Sequence, residues 1–79
     1  MDGTSRYTML IQWSTEDDTF VVSFPDWEGV VTNPVTRGDT YEQAVRNGQE
    51  AIEAMVASTL KHGETLPMRK AIQLVAAAA

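Results

Sequence analysis

"GDTYEQAVRNGQEAIEAMVASTLKHG", residues 38–63, decides how this chain folds. Within it Tyr41, Ala44, Val45, Gly48, Ala51, Ile52, Met55, Val56 and Leu60 recur every three or four residues. That spacing is the apolar stripe of one amphipathic helix lying on a sheet. Glu42, Arg46, Asn47, Gln49, Glu50, Glu53 and Lys61 fall on the opposite side. Thr40 with Gln43 three residues later reads as a capping box at the helix start, and Gly63 after His62 as the residue that ends it. A glycine in a helix interior costs about 1 kcal/mol relative to alanine. Because Gly48 lies on the apolar stripe, close approach of helix to sheet is the expected compensation.

Immediately upstream, Arg37-Gly38-Asp39 spells a tripeptide that in a secreted protein suggests an adhesion ligand. Its place directly before the cap gives a structural reading instead. Gly38 permits the turn, and the Asp39 carboxylate favours the positive end of the helix dipole.

Further upstream the period changes from three and four to two. In "YTMLIQW", residues 7–13, Tyr7, Met9, Ile11 and Trp13 alternate with Thr8, Leu10 and Gln12; in "TFVVSF", residues 19–24, Phe20, Val22 and Phe24 share one face. Two such strands joined by the polar turn "STEDD" predict a hairpin. "PDWEG", residues 25–29, turns the chain through Pro25 and Gly29. "VVTNPVTR", residues 30–37, is β-rich but interrupted by Asn33-Pro34, which predicts a third strand that is bulged or at an edge. After the helix, Ala71 to Val75 form a short apolar run that suits a fourth strand covering a sheet edge. The expected fold class is α+β, ordered β-β-β-α-β. A three- to four-stranded, mainly antiparallel sheet carries the one long helix.

At 79 residues the chain is expected to form a single domain, 1–79, with a core from about 6 to 75. One core of this size rarely supplies more than about 3 to 5 kcal/mol, so small domains add disulfides, a metal or a partner. There is no cysteine, and His62 alone is too little for a histidine zinc centre. No cofactor or metal is expected, and self-association or a protein partner is the remaining support. The opening "MDGTSRYTML" has no basic region followed by a long apolar run, and no stretch approaches the roughly 20 apolar residues of a membrane span. A soluble, cytoplasmic protein is expected. Its formal charge of −5 is concentrated in residues 1–28, where Asp2, Glu16, Asp17, Asp18, Asp26 and Glu28 face only Arg6. Direct nucleic-acid binding is disfavoured by that balance, whereas a basic protein would be attracted.

The run "PDWEG … GDTYEQAVRNGQEAIEAM … HGETLP" resembles the N-terminal domain of the HicB-like antitoxin family. Pro25, Asp26 and Gly29 match its Pro-Asp turn; Gly38, Asp39, Thr40, Glu42 and Ala44 match its helix-opening motif. Glu28 stands where the family usually has proline, and Gln43 where it has a second acid. The resemblance implies a partial ribonuclease-H-like fold and a homo-oligomer, dimer or tetramer. It also implies an antitoxin that binds and occludes a HicA-type toxin, a small basic ribonuclease that cuts messenger RNA. "AIQLVAAAA" is too short and uncharged for the DNA-binding module many members carry, so operator binding is not carried over. The alternative is an orphan oligomerising module of the same fold without a cognate toxin.

For such a partner the candidate surface is Glu16, Asp17 and Asp18 at the hairpin tip with Asp26, Trp27 and Glu28 in the next loop, Trp27 serving as aromatic anchor. Against it stands a plainer reading, in which the turns are merely polar and Trp27 caps the core. A metal-dependent nuclease would need clustered acids converging from rigid elements. The available acids Asp17, Asp18, Asp26 and Glu28 all fall in predicted turns, so no enzyme is expected.

Overall fold

The computed structural model describes residues 7–68. Three strands, β1 (Leu10–Ser14), β2 (Thr19–Ser23) and β3 (Thr36–Gly38), form an antiparallel sheet in the order β1-β2-β3, and α1 (Tyr41–Lys61) follows. This is the α+β arrangement expected, in β-β-β-α order; the run Ala71–Val75 lies outside the described residues.

Register explains the faces. Ile11 opposes Val22 and Trp13 opposes Phe20, while Val22 opposes Thr36 and Phe20 opposes Gly38. Because side chains alternate along a strand, Ile11, Trp13, Phe20 and Val22 share the face that α1 covers. Leu10, Gln12, Val21 and Arg37 fall on the other. The core gathers where α1 crosses the sheet: Val22, Phe24, Trp27, Ala44 and Ile52, closed by Tyr7, are buried, with Met9, Phe20, Val31, Val35, Met55 and Leu66 among the half-buried side chains around them.

The third strand is shorter than the β-rich run suggests. Only Thr36–Gly38 pair as a strand, because the Asn33 side chain takes the place of a neighbour for Phe24. Its Oδ1 accepts from Phe24 N–H at 2.9 Å, and its amide nitrogen donates to Phe24 C=O at 3.4 Å. The Asn33–Pro34 peptide is cis. Strand β1 begins at Leu10 rather than at Tyr7; Thr8 N–H donates to Asp26 Oδ2 at 3.1 Å, and Tyr7 O–H donates to Pro67 C=O at 2.8 Å. The residues just before the strand are thus held by side chains rather than by a ladder.

Helix α1 is closed at both ends. Thr40 Oγ1 accepts from Gln43 N–H at 3.0 Å, and Gln43 Oε1 accepts at 2.6 Å from Asp39 N–H, one residue earlier than in the standard box. At the other end Gly63, at φ +70°, donates to Leu60 C=O while Glu64 N–H reaches Thr59 C=O, the Schellman pattern. The two extremes of the predicted stripe turn outward: Tyr41 and Leu60 are 60 % and 59 % exposed. Thr59 is buried in place of Leu60, its hydroxyl satisfied by Met55 C=O at 2.8 Å.

Two glycines set the distance between helix and sheet. A Cβ on Gly38 would lie 2.5 Å from Ala44 N and 2.7 Å from Ala44 Cα, so β3 can touch the first turn of α1 only without a side chain there. Close approach, rather than a left-handed turn, is why glycine is needed at 38. A Cβ on Gly48 would lie 2.8 Å from Met9 Sδ and 3.0 Å from Val22 Cγ1.

These contacts predict an order of stabilities. Gly38→Ala must move backbone and is expected to cost about 3 kcal/mol. Gly48→Ala displaces side-chain atoms and regains about 1 kcal/mol of helix propensity, for a net loss of about 1 kcal/mol. Trp27→Ala empties the largest core site and should cost about 4 kcal/mol. Asp26→Ala, which strips the acceptor from Thr8 N–H, should cost about 1 to 2 kcal/mol. Urea unfolding followed by circular dichroism ranks all four; equal midpoints for the two glycine variants would contradict the steric account.

Candidate functional site

The six residues proposed from sequence as a partner surface separate into two groups. Glu16, Asp17 and Asp18 form the tip of the β1–β2 hairpin and are exposed. The turn holds them there. Asp18 N–H donates to Ser14 C=O at 2.8 Å, Asp17 N–H donates to Ser14 Oγ at 3.3 Å, and Ser14 Oγ donates to Asp17 Oδ2 at 3.3 Å. Asp18 sits in the left-handed region at φ +56°, where a short polar side chain is tolerated. The tip therefore presents three carboxylates on a fixed backbone.

Asp26 and Trp27 belong elsewhere. Pro25–Trp27 form a single 3-10 turn, with Pro25 pre-setting its first position. That turn drives Trp27 inward to 1 % exposure, against Tyr7 at 5.3 Å between ring centroids and 63° between planes. Its indole nitrogen is buried without a hydrogen-bond partner among the described residues. Asp26 is 7 % exposed and receives the Thr8 N–H. Trp27 is a core residue and cannot serve as the aromatic anchor of an exposed surface; Asp26 fixes the start of the hairpin. Glu28 is exposed, and Gly29, at φ +88°, carries the chain out of the turn.

Sequence reasoning missed the aromatic side chains that are exposed beside the tip. Trp13 is 50 % exposed and meets Phe20 at 5.0 Å; Phe20 meets Tyr41 at 6.0 Å, both contacts edge-on. The available signal was position: Trp13 and Phe20 are the last apolar pair before the turn, where a sheet outruns the helix that covers it. Tyr41, Glu42, Val45, Arg46 and Gln49 line a shallow depression next to this row.

The remaining motif residues act on structure. Gly38 and Gly48 admit the helix, Thr40 caps it, and Ala44 is fully buried beneath its first turn. Asp39 and Glu42 stand exposed near its positive end. His62 lies exposed at the C-cap, Nδ1 2.8 Å from Ser58 O. Among the described residues no three histidine, cysteine, aspartate or glutamate side chains are grouped to hold a metal ion, and no helix is long and apolar enough to cross a membrane.

Known proteins place this arrangement in a family. The family described as HicB_like antitoxin of bacterial toxin-antitoxin system matches residues 7–79. The UPF0150 protein Ta0767 of Thermoplasma acidophilum is 35 % identical over 69 residues, which covers 87 % of this chain and 93 % of that protein. No solved structure matches significantly. With the family matched over nearly all of its length, and the hairpin, the capped helix and the glycines of the motif in place, the chain belongs to the HicB-like antitoxin family.

Proposed function

We propose that this chain is the antitoxin of a type II toxin-antitoxin pair, a cytoplasmic protein that binds a HicA-type mRNA-cleaving toxin and blocks it sterically. The observation that carries the reading is the family match across residues 7–79. A ribonuclease that engages RNA must present a basic surface to phosphates. A protein with exposed carboxylates at a rigid hairpin tip is complementary to that surface and competes with RNA for it. No catalytic step is required of the antitoxin: occupying the toxin's RNA-binding surface is enough.

The same domain is read as a dimer or tetramer. Its described core contains few fully buried side chains, and association adds stability by mass action to a small domain whose own core is thin.

Co-expression with a HicA-type toxin, sought among small basic proteins encoded next to this chain, is expected to give one complex on size-exclusion chromatography, with RNA cleavage suppressed. No complex, and this chain alone as a stable oligomer, would favour the orphan interaction module. The electrostatic part is tested by the double substitution Asp17→Asn, Asp18→Asn. Asparagine keeps the side-chain oxygen and tolerates the left-handed turn, so charge alone is removed. Toxin affinity is expected to fall about tenfold at low salt and to lose much of its ionic-strength dependence. Unchanged affinity across salt would remove the tip from the interface.

A further inference from the structure

The row Trp13–Phe20–Tyr41 is an exposed aromatic surface beside the hairpin tip. Its three rings make two edge-on contacts at 5.0 and 6.0 Å between centroids, with both terminal rings at least half exposed. Half-buried Val45 extends the surface one turn along α1 from Tyr41. Rigid aromatic side chains held against one another lose little entropy when a partner covers them, which is why such residues dominate interface energies.

Charge decides which partner fits. Glu16, Asp17 and Asp18 follow one residue pair beyond Trp13 and Phe20 in the hairpin. Asp39 follows Gly38, the β3 partner of Phe20, and Glu42 follows Tyr41 at the rim of the depression. All five acids are exposed. Arg46 is the described base that lines the same depression. The face of an aromatic ring attracts cations, and carboxylates around it add to the attraction. A second copy of this chain, placed face to face, would set these acids against one another, which costs affinity.

We propose that this face is where the chain receives a basic protein, with arginine or lysine side chains of the partner laid over Trp13 and Tyr41 and paired with the surrounding carboxylates. The assignment rests on the antitoxin reading for the partner's identity, the toxin, and replaces buried Trp27 by Trp13 and Tyr41 as anchors.

The full chain is titrated with a HicA-type toxin, and separately with a tri-arginine peptide followed by the NMR signal of the Trp13 indole N–H, identified by its absence in Trp13→Phe. Trp13→Ala and Tyr41→Ala are each expected to weaken the protein complex about tenfold or more. Trp13→Phe keeps most of the affinity, Leu60→Ala, at an exposed apolar site elsewhere, keeps all of it, and thermal unfolding stays within a few degrees throughout. Wild-type affinity in both alanine variants overturns the proposal and leaves the antitoxin reading intact on another surface. If the wild-type chain binds no toxin, the antitoxin reading fails and the peptide decides. A saturating Trp13 shift with tri-arginine, absent with tri-glutamate, supports the face as a cation-binding surface, and no shift overturns it. Self-association of the chain that disappears in the two alanine variants, with toxin binding unaffected, also overturns it.

Discussion

Everything in this small domain depends on how closely one helix can be laid on three strands. Among the described residues there is one α-helix and a short third strand, so the core has to form where α1 meets the sheet and the neighbouring side chains Tyr7, Phe24 and Trp27. Gly38 and Gly48 make that contact possible: one lets β3 run against the backbone of Ala44, the other lets the middle of α1 settle on Met9 and Val22. Only Asp39 and Thr40 separate the end of β3 from the start of α1. The chain therefore has no slack with which to accept a larger side chain by sliding the helix away. The caps at both ends of α1 have the same purpose, since a frayed first turn would uncover Ala44 and release Tyr41 from Phe20.

Among the described residues one helix covers one face of the sheet and leaves part of it open, and this produces the surface chemistry. The two tryptophans show it. Trp27, in a loop, is carried inward by a proline-initiated turn and becomes the largest buried side chain; Trp13, in a strand and on the helix-facing side, stays half exposed, edge-on to Phe20, which in turn meets Tyr41 at the start of α1. The acids follow the same division: those of the hairpin tip are held out by their own turn, whereas Asp26 is drawn in to receive a backbone N–H.

Much of this was legible in the sequence, for definite reasons. Period-two alternation in residues 7–13 and 19–24 gave the correct faces because one side of the sheet is buried, and that condition fixes strand register. Thr40 and Gly63 marked the helix because backbone groups at helix ends need specific partners. What escaped was tertiary. Asn33 replacing a strand neighbour for Phe24 depends on side-chain geometry that a β-rich run conceals. The loop "DWE" left Trp27 open between surface anchor and core cap, because its neighbours are acidic, and the 3-10 turn that sends the ring inward decides for the core. The helical stripe was right through its middle and wrong at its ends, where Tyr41 and Leu60 stand exposed and periodicity no longer reports burial.

The hydrogen bond from Tyr7 to Pro67 joins residues 60 apart in sequence, and the Tyr7 ring that makes it also packs on Trp27. The two flanks of the described region are thus latched to each other at the lid of the core. A pulling force, such as an unfolding motor applies to a polypeptide, reaches this latch whichever flank is gripped. Breaking it peels Tyr7 from Trp27 and admits water to the largest buried side chain. Opening the latch thus uncovers Trp27 while the strand ladder and the hydrogen bonds of α1 stay in place.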